Sequence, residues 1–393
     1  MAEGALRAEG DRRTSVFANP PVAIVLALVA VRIVVLVATL QADRARPVRD
    51  DDVLRFGQIA TATGTPYRDF PVEYMPVELL TIRAIASDGA SATAVRLALI
   101  SFAADLAAVG ALWYGWGRRG ASMYLLIGLP LQTFILFRVD PVAVAMAAWS
   151  MALARRHRDG PAGGLLAAAV LTKLWPVVLV PWFLVKARWR VAAWFGATGA
   201  VGLAVWVALG GIRAPWQVLT FRGAHGWSVE STIGNVVWLV TGGPIRLEAG
   251  AVRTGDASIA VRAILVAAIA GVLALVWGRA RRDATDPAGG PALVAVTALI
   301  ALSPLFSVQY SCWLVPWAAV ASLGGRRERT AAILAAAIVA MGGLLAILYG
   351  NATVTIIGSI KLLLLIRNAL CVGLVAFWLL TRSPVPTSAS AEA

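Results

Sequence analysis

Long apolar runs separated by short polar connections dominate the chain. A helix of about 20 apolar residues crosses a hydrocarbon core of about 30 Å. The pattern predicts an all-α polytopic membrane protein, a single transmembrane domain over residues 20–380. Its apolar stretches, about twelve in number, lie near 20–40, 93–115, 122–137, 141–154, 161–172, 175–185, 191–209, 259–277, 291–303, 311–323, 330–349 and 354–380.

Several of these stretches are too short to cross a membrane alone. A 12-residue helix is only about 18 Å long. Three pairs, 122–137 with 141–154, 161–172 with 175–185, and 291–303 with 311–323, are therefore expected to sit inside the bundle. Their polar turns then lie below the outer membrane surface, where irregular backbone is tolerated against protein or a wet cavity.

The basic clusters predict the orientation. Cytoplasmic connections of membrane proteins are enriched in Lys and Arg. The clusters near 118–119, 155–158, 186–190, 279–282 and 326–329 are therefore predicted to be cytoplasmic. Both termini are then predicted to be cytoplasmic disordered tails (1–19 and 381–393). Residues 20–40 are predicted to be a retained signal anchor, and residues 41–92 and 210–258 are predicted to be external loops. Short interfacial helices are expected near 77–86 and 231–240, in a plasma-membrane protein.

Composition supports the membrane assignment and excludes other classes. Of 393 residues, 59% are hydrophobic and 14% are charged, which does not suit a soluble globular protein. The net charge of +14 comes from the connecting clusters, so it indicates topology and not a nucleic-acid-binding face. Cys312 and Cys371 lie in apolar stretches, and His157 and His225 are far apart in the sequence, so no disulfide or metal spacing is visible.

The segment from Asp50 to Pro76 is the one long polar stretch with clustered carboxylates. An acidic run after a membrane helix is often only a solvated loop. From Gly64 onward, however, aromatic residues, prolines and charges interleave without helical or strand periodicity. Such a pattern is typical of a fixed loop that faces a substrate.

Five charged residues lie within or at the ends of apolar runs: Arg138, Asp140, Lys173, Lys361 and Arg367. Each costs about 2.5–3.5 kcal/mol in a membrane unless it is paired or hydrated. All are predicted in the outer half, where a cationic pocket would suit an anionic lipid headgroup.

Structural explanations remain open for these charges. Arg138 could pair with Asp140 at a helix turn, and Lys173 could extend to the membrane interface. We expect Arg32, Arg96 and Asp105 to be structural ion-pair partners. The segment Arg222–Ser231 is a second polar patch that could bind sugar hydroxyls or phosphate, although a lone loop histidine such as His225 is more often a surface residue than a catalyst.

Together these segments resemble the integral-membrane GT-C glycosyltransferases, and among them glycosyltransferase family 87, the polyprenol-phosphate-mannose-dependent type. The resemblance runs in family order across about residues 50–370. It is carried by Asp52-Val53, Gly64-Thr65-Pro66-Tyr67-Arg68-Asp69-Phe70, Glu73-Tyr74-Met75-Pro76, Arg138-Val139-Asp140, Lys173-Leu174-Trp175-Pro176, Arg222-Gly223 with Glu230-Ser231, and Ser303-Pro304 with Gln309-Tyr310 and Trp313.

The resemblance implies a GT-C-like bundle and inverting transfer of a sugar, expected to be mannose, from a polyprenyl-phosphate carrier to a lipid or glycan hydroxyl on the outer face. It implies Asp52 as general base, with Asp51 as the fallback. The donor is already activated, so no cofactor or metal is expected. The expected phosphate ligands are Lys173, Arg138, Arg222, Lys361 and Arg367, and the expected sugar or acceptor contacts are Asp69, Glu73, Tyr67, Tyr74, Asp140, His225, Trp227, Glu230, Gln309 and Tyr310.

Three alternatives remain open at this stage. A transporter or flippase for a lipid-linked sugar or a small anion would also use buried cations, although it would move its substrate unchanged. A non-catalytic scaffold would tolerate neutral substitution of Asp52. A transferase that uses a different polyprenyl-phosphate sugar is equally consistent with the residues.

Overall fold

The computed structural model of the protein describes residues 20–45, 51–86, 89–220, 224–248, 251–282, 285–350 and 357–381. The predicted tail at 1–19, all but residue 381 of the predicted tail at 381–393, and the candidate ligand Arg222 lie outside the described residues.

The described chain is mainly helical. The helices are α1 (Val22–Ala45), α2 (Asp51–Thr61), α3 (Pro76–Ile85), α4 (Ala90–Gly128), α5 (Gln132–Ile135), α6 (Asp140–Arg155), α7 (Asp159–Thr172), α8 (Val180–Val185), α9 (Trp189–Gly210), α10 (Arg213–Leu219), α11 (Thr232–Thr241), α12 (Ile259–Arg282), α13 (Gly290–Leu302), α14 (Val315–Ala321), α15 (Arg326–Gly350) and α16 (Ile357–Leu380).

Among the described residues, six helical segments are long and apolar enough to cross a membrane: Val22–Asp43, Ala90–Ile135, Trp189–Gly210, Ile259–Arg282, Arg326–Leu348 and Ile360–Leu380. The protein is therefore a polytopic membrane protein, as predicted. The second segment is a hairpin and not one rod. The chain turns at Gly117, whose φ of 72° is left-handed. The Tyr124 hydroxyl donates to Asp105 at 2.8 Å, whereas 19 residues of straight helix would separate these two residues by about 28 Å.

The shorter apolar stretches are broken, as their lengths predict. Tight 3-10 segments, Trp175–Leu179 and Val308–Leu314, precede α8 and α14. Pro176, Pro181 and Pro316 each lie in the first turn of a helical segment. Proline is tolerated there because its missing N–H has no intrahelical acceptor. These breaks bring Lys173 and Tyr310 into the interior of the bundle.

Two features of the predicted external loops differ from expectation. Residues 51–61 of the acidic segment form α2, and a small antiparallel sheet adds β1 (Trp227–Ser228), β2 (Ile245–Glu248) and β3 (Ala251–Thr254), in the order β1-β3-β2. Tertiary contacts stabilise these short elements, which the local sequence pattern did not indicate. Helices are confirmed near both predicted positions, as α3 and α11, while their location at the membrane interface stays a prediction.

Contacts at the two ends of the bundle agree with the predicted topology. At one end, basic connections meet, since Trp116 donates to Asp286 at 2.7 Å and Arg155 pairs with the same carboxylate. At the other end, the two long loops meet, since the Gln217 amide donates to the Tyr67 carbonyl at 2.6 Å. These contacts join some of the segments that were predicted to share a side, whereas the side of the membrane on which each end lies stays a prediction.

Candidate active site

A buried cluster of charges forms where α7 ends. Lys173 follows the last residue of α7 in an extended conformation, and its ammonium lies 2.6 Å from Glu78 Oε1 and 3.8 Å from Asp140 Oδ2. The Lys173 side chain is 20% exposed, whereas both carboxylates are buried. Lys173 is therefore fixed by two acids inside the bundle, and the expectation that it extends to the interface does not hold.

The environment of this cluster shifts its pKa values. Burial alone would lower the pKa of Lys173, but the carboxylates of Asp140 and Glu78 outweigh it and raise that pKa, so the ammonium stays charged at neutral pH. Burial raises the pKa of Glu78 to about 7, against the opposing effect of Lys173. Glu78 can therefore exchange a proton near neutral pH.

Asp140 also anchors a wall of aromatic rings. The Trp313 indole N–H donates to Asp140 Oδ1 at 2.7 Å. The Trp313 ring stacks between Trp175 and Tyr310, with centroid distances of 5.3 and 4.0 Å. Flat rings beside a carboxylate are suited to the face and the hydroxyls of a sugar.

Asp52 and Arg138 come together at this site. Asp52, in the first turn of α2, is 38% exposed, and its Oδ2 lies 3.4 Å from Arg138 Nε. Arg138 lies over the Phe134 ring at 4.5 Å, and the Ser101 hydroxyl holds its backbone carbonyl at 2.5 Å. Arg138 thus pairs with Asp52, and the hypothesis of a pair with Asp140 is wrong.

Glu230 and Arg367 form a second ion pair, with 3.6 Å between Oε2 and Nη1. Arg367 is fully buried, lies over the Phe306 ring at 3.7 Å and donates to the Glu230 carbonyl, which also accepts from Asn368 at 3.2 Å. Burial raises the pKa of Glu230, whereas Arg367 lowers it. These contacts favour a positioning role of Arg367 on Glu230 over the expected role in phosphate binding.

Several predicted site residues make structural contacts in the segment before α3. Glu73 receives two hydrogen bonds of 2.9 Å from Arg55, and Asp69 accepts from the backbone N–H of Thr65 at 2.6 Å. Tyr67 is buried and donates from its hydroxyl to the Tyr74 carbonyl at 2.6 Å. These residues fix the shape of the loop, while the Tyr74 ring itself lies 5.9 Å from the Lys173 ammonium.

Four other predicted residues that the structure describes contact groups outside the charge cluster. His225 is exposed, and its backbone N–H donates to Glu248, whereas Trp227 is buried in β1. Lys361 lies over the Trp238 ring at 4.2 Å. The Gln309 amide oxygen accepts from Ser307 at 2.6 Å. The side chain of Asp51 lies outside the described part of the chain.

Glu78 is the site residue that the sequence did not identify. It lies in the first turn of α3 on the same buried side as Leu79, Ile82 and Ile85. A lone carboxylate on the apolar face of a short helix was an available signal, since such a group is rarely buried without a partner. Its partner, Lys173, is distant in sequence and is brought close only by the packing of α3 on α7.

Comparison with known proteins agrees with the architecture and with the resemblance. Residues 70–308, more than half of the chain, match the model of glycosyltransferase family 87, a match that begins after Asp52. A search of the curated proteins found no match. With its apolar spans and this family match, the chain belongs to glycosyltransferase family 87 and is a membrane glycosyltransferase.

Proposed function

We propose that the protein transfers mannose, with inversion, from a polyprenyl-phosphate carrier to a hydroxyl of a lipid or glycan acceptor on the outer face of the plasma membrane. The observation that carries the proposal is the accessible Asp52 carboxylate beside Arg138, next to the buried Lys173 cluster. This grouping of a partly exposed carboxylate with two cations in a membrane protein supports a general base and phosphate ligands for a lipid-linked donor.

Asp52 is the proposed general base. Its carboxylate accepts the proton of the acceptor hydroxyl as that oxygen forms a bond to the anomeric carbon of the donor. The bond between the anomeric carbon and the phosphate oxygen breaks, and its electron pair leaves with the polyprenyl phosphate. Attack from the face opposite the leaving group inverts the anomeric centre.

Lys173 and Arg138 are the proposed ligands of the departing phosphate. The donor phosphodiester carries one negative charge, and the leaving phosphate gains a second as the glycosidic bond breaks. Fixed cations in a site of low dielectric stabilise this growing charge more than they stabilise the ground state. Arg138 would then be shared between the base and the leaving group.

Sugar and acceptor contacts are proposed for the groups that face this cluster: Tyr74, Asp140, Glu230 and Tyr310. Asp69, Glu73, Tyr67 and Trp227 would act indirectly by holding the loop and the sheet in place. We further propose about twelve membrane segments in one GT-C-like domain over residues 20–380. In that topology both termini are cytoplasmic and the site opens outward.

The test is transfer of radiolabelled mannose from polyprenyl-phosphate-mannose to a lipid extract by membranes that contain the protein. Transfer above control membranes supports the proposal. If mannose is not transferred but the sugar of another polyprenyl-phosphate donor is, the proposed sugar is wrong and the proposed mechanism stands. Movement of intact donor across vesicles without transfer would contradict the proposed reaction.

Replacing Lys173 with methionine should weaken use of the donor more than use of the acceptor. Hydrogen bonds from charged groups contribute about 1.5–3 kcal/mol, so the KM for the donor should rise about 10-fold or more, while the KM for the acceptor changes little. Steady-state kinetics with each substrate varied in turn would measure this difference.

The matched control is Lys186→Met, because Lys186 lies among the basic connections, with Nζ 3.4 Å from the Arg281 carbonyl. Lys173→Arg, which keeps the charge, should recover part of the donor affinity. Equal changes in both KM values would argue against a specific contact between Lys173 and the donor.

A further inference from the structure

The charges around Lys173 are out of balance before any donor binds. Two carboxylates, Glu78 and Asp140, face one cation, Lys173. With every group ionised, this triad of described residues carries a net charge of −1. A phosphodiester would bring a further negative charge into a largely buried site, where like charges repel strongly.

Of these two carboxylates, Glu78 is the one suited to give up its charge. Asp140 accepts a hydrogen bond from Trp313 and lies farther from the Lys173 ammonium, at 3.8 Å. Glu78 is almost completely buried and holds the Lys173 ammonium at 2.6 Å. The Glu78 carboxylate is therefore paired with the ammonium group that a phosphate would need.

Resting on the proposed function, we propose that Glu78 is a proton-linked positioning residue that takes up one proton when the anionic donor binds. The proton comes from water, the Glu78 carboxylate becomes a neutral acid, and the Lys173 ammonium is released to the phosphate oxygens. Before binding, the same carboxylate holds Lys173 in place and neutralises it. The pKa of Glu78, raised to about 7 by burial, is compatible with this exchange.

Other charged groups around Glu78 do not replace it in this role. On its own segment, Glu73 is paired with Arg55 of α2, and Arg83 is exposed on the opposite side of α3. From α4, Arg96 is directed to the Ala86 carbonyl at 3.5 Å. The other described groups around Glu78 are Asp52 of α2, Asp140 of α6, Lys173 after α7, and the hydroxyls of Tyr67, Tyr74 and Tyr310.

The expected signature is binding that weakens as the pH rises. For one group with a pKa of about 7 that must be protonated in the complex, proton uptake is near zero at pH 6, about one half at pH 7 and near one at pH 8. The Kd then rises about 10-fold between pH 6 and pH 8.

The experiment is titration calorimetry of the full protein in nanodiscs with a polyprenyl methyl phosphodiester. This probe has no sugar, so its binding does not depend on turnover or sugar identity, and a phosphodiester keeps one charge over this pH range. Titrations at pH 6, 7 and 8 in two buffers of different ionisation enthalpy give the number of protons taken up.

Glu78→Gln mimics the protonated acid, so it should bind with a Kd that hardly changes with pH and take up no proton. Glu78→Asp should restore proton uptake, and Asp256→Asn, an exposed carboxylate paired with Arg246 outside the cluster, should behave as the wild type. The thermal midpoint of each variant in detergent checks that it is folded.

The outcomes separate this inference from the proposed function. Binding without proton uptake by the wild type, or unchanged uptake by folded Glu78→Gln, would overturn the inference. Linked binding without sugar transfer would leave the role of Glu78 standing and reject the proposed reaction. Sugar transfer without binding of the phosphodiester would support the proposed reaction and overturn the role of Glu78.

Discussion

Asp52→Asn should abolish sugar transfer while leaving the protein folded and the donor bound. The amide keeps the shape of the carboxylate but cannot accept the proton of the acceptor hydroxyl, and loss of a general base lowers kcat by about 10²–10⁴-fold. Single-turnover transfer assays at matched protein levels, with the donor affinity measured separately, would show a loss confined to the chemical step.

The control for this variant is Asp256→Asn, which neutralises an exposed loop carboxylate and should retain transfer. Asp51→Asn tests the fallback base, whose side chain lies outside the described residues. Full activity of Asp52→Asn together with loss of activity in Asp51→Asn would identify Asp51 as the general base. Full activity of both would reject a base in the first turn of α2.

Arg32→Met should destabilise the whole protein without touching the site. Arg32 of α1 is buried and lies 2.8 Å from Asp105 of α4, whose other oxygen accepts from Tyr124; Arg32 also donates to Gln132 and to the Leu125 carbonyl. Removing one partner of a buried ion pair leaves an uncompensated charge and costs about 3–5 kcal/mol.

Thermal unfolding in detergent would measure this loss. The double variant Arg32→Met, Asp105→Leu should be more stable than Arg32→Met alone, because no charge is then left unpaired. Val34→Ala, at a position 66% exposed toward the surroundings, is the control and should change stability little. A loss from Arg32→Met no greater than that control would show that the pair is not structural.

The two expected effects belong to different parts of the molecule. The Arg32–Asp105 pair lies within the membrane helices and joins α1 to the α4 hairpin, whereas Asp52 lies on a short helix between α1 and α3. Function and stability should therefore respond separately, with Asp52→Asn reducing turnover at unchanged stability and Arg32→Met reducing stability first.

Much of the fold follows from the sequence alone. A membrane helix satisfies its backbone hydrogen bonds within its own segment, so length and apolarity identify α1, α9, α12, α15 and α16 directly. The basic connections are local signals too, and contacts join some of them at one end of the bundle, while their cytoplasmic location stays a prediction. Arg32 and Asp105 were each expected to be structural ion-pair partners, and they pair with each other, since an isolated charge in an apolar run requires a partner; Arg96 is instead directed to a backbone carbonyl.

Only the tertiary structure decided which charges meet. The sequence identified Asp52, Arg138, Asp140 and Lys173 as candidate site residues. Arg138 does not pair with Asp140, the nearest carboxylate along the chain. It pairs with Asp52, which the packing of α2 on α4 brings close. Glu78 gained its importance in the same way, through the contact of α3 with α7. The pairing of charged side chains depends on which helix faces meet, and no local sequence pattern encodes that long-range property. The helices themselves depend on local hydrogen bonding and apolarity.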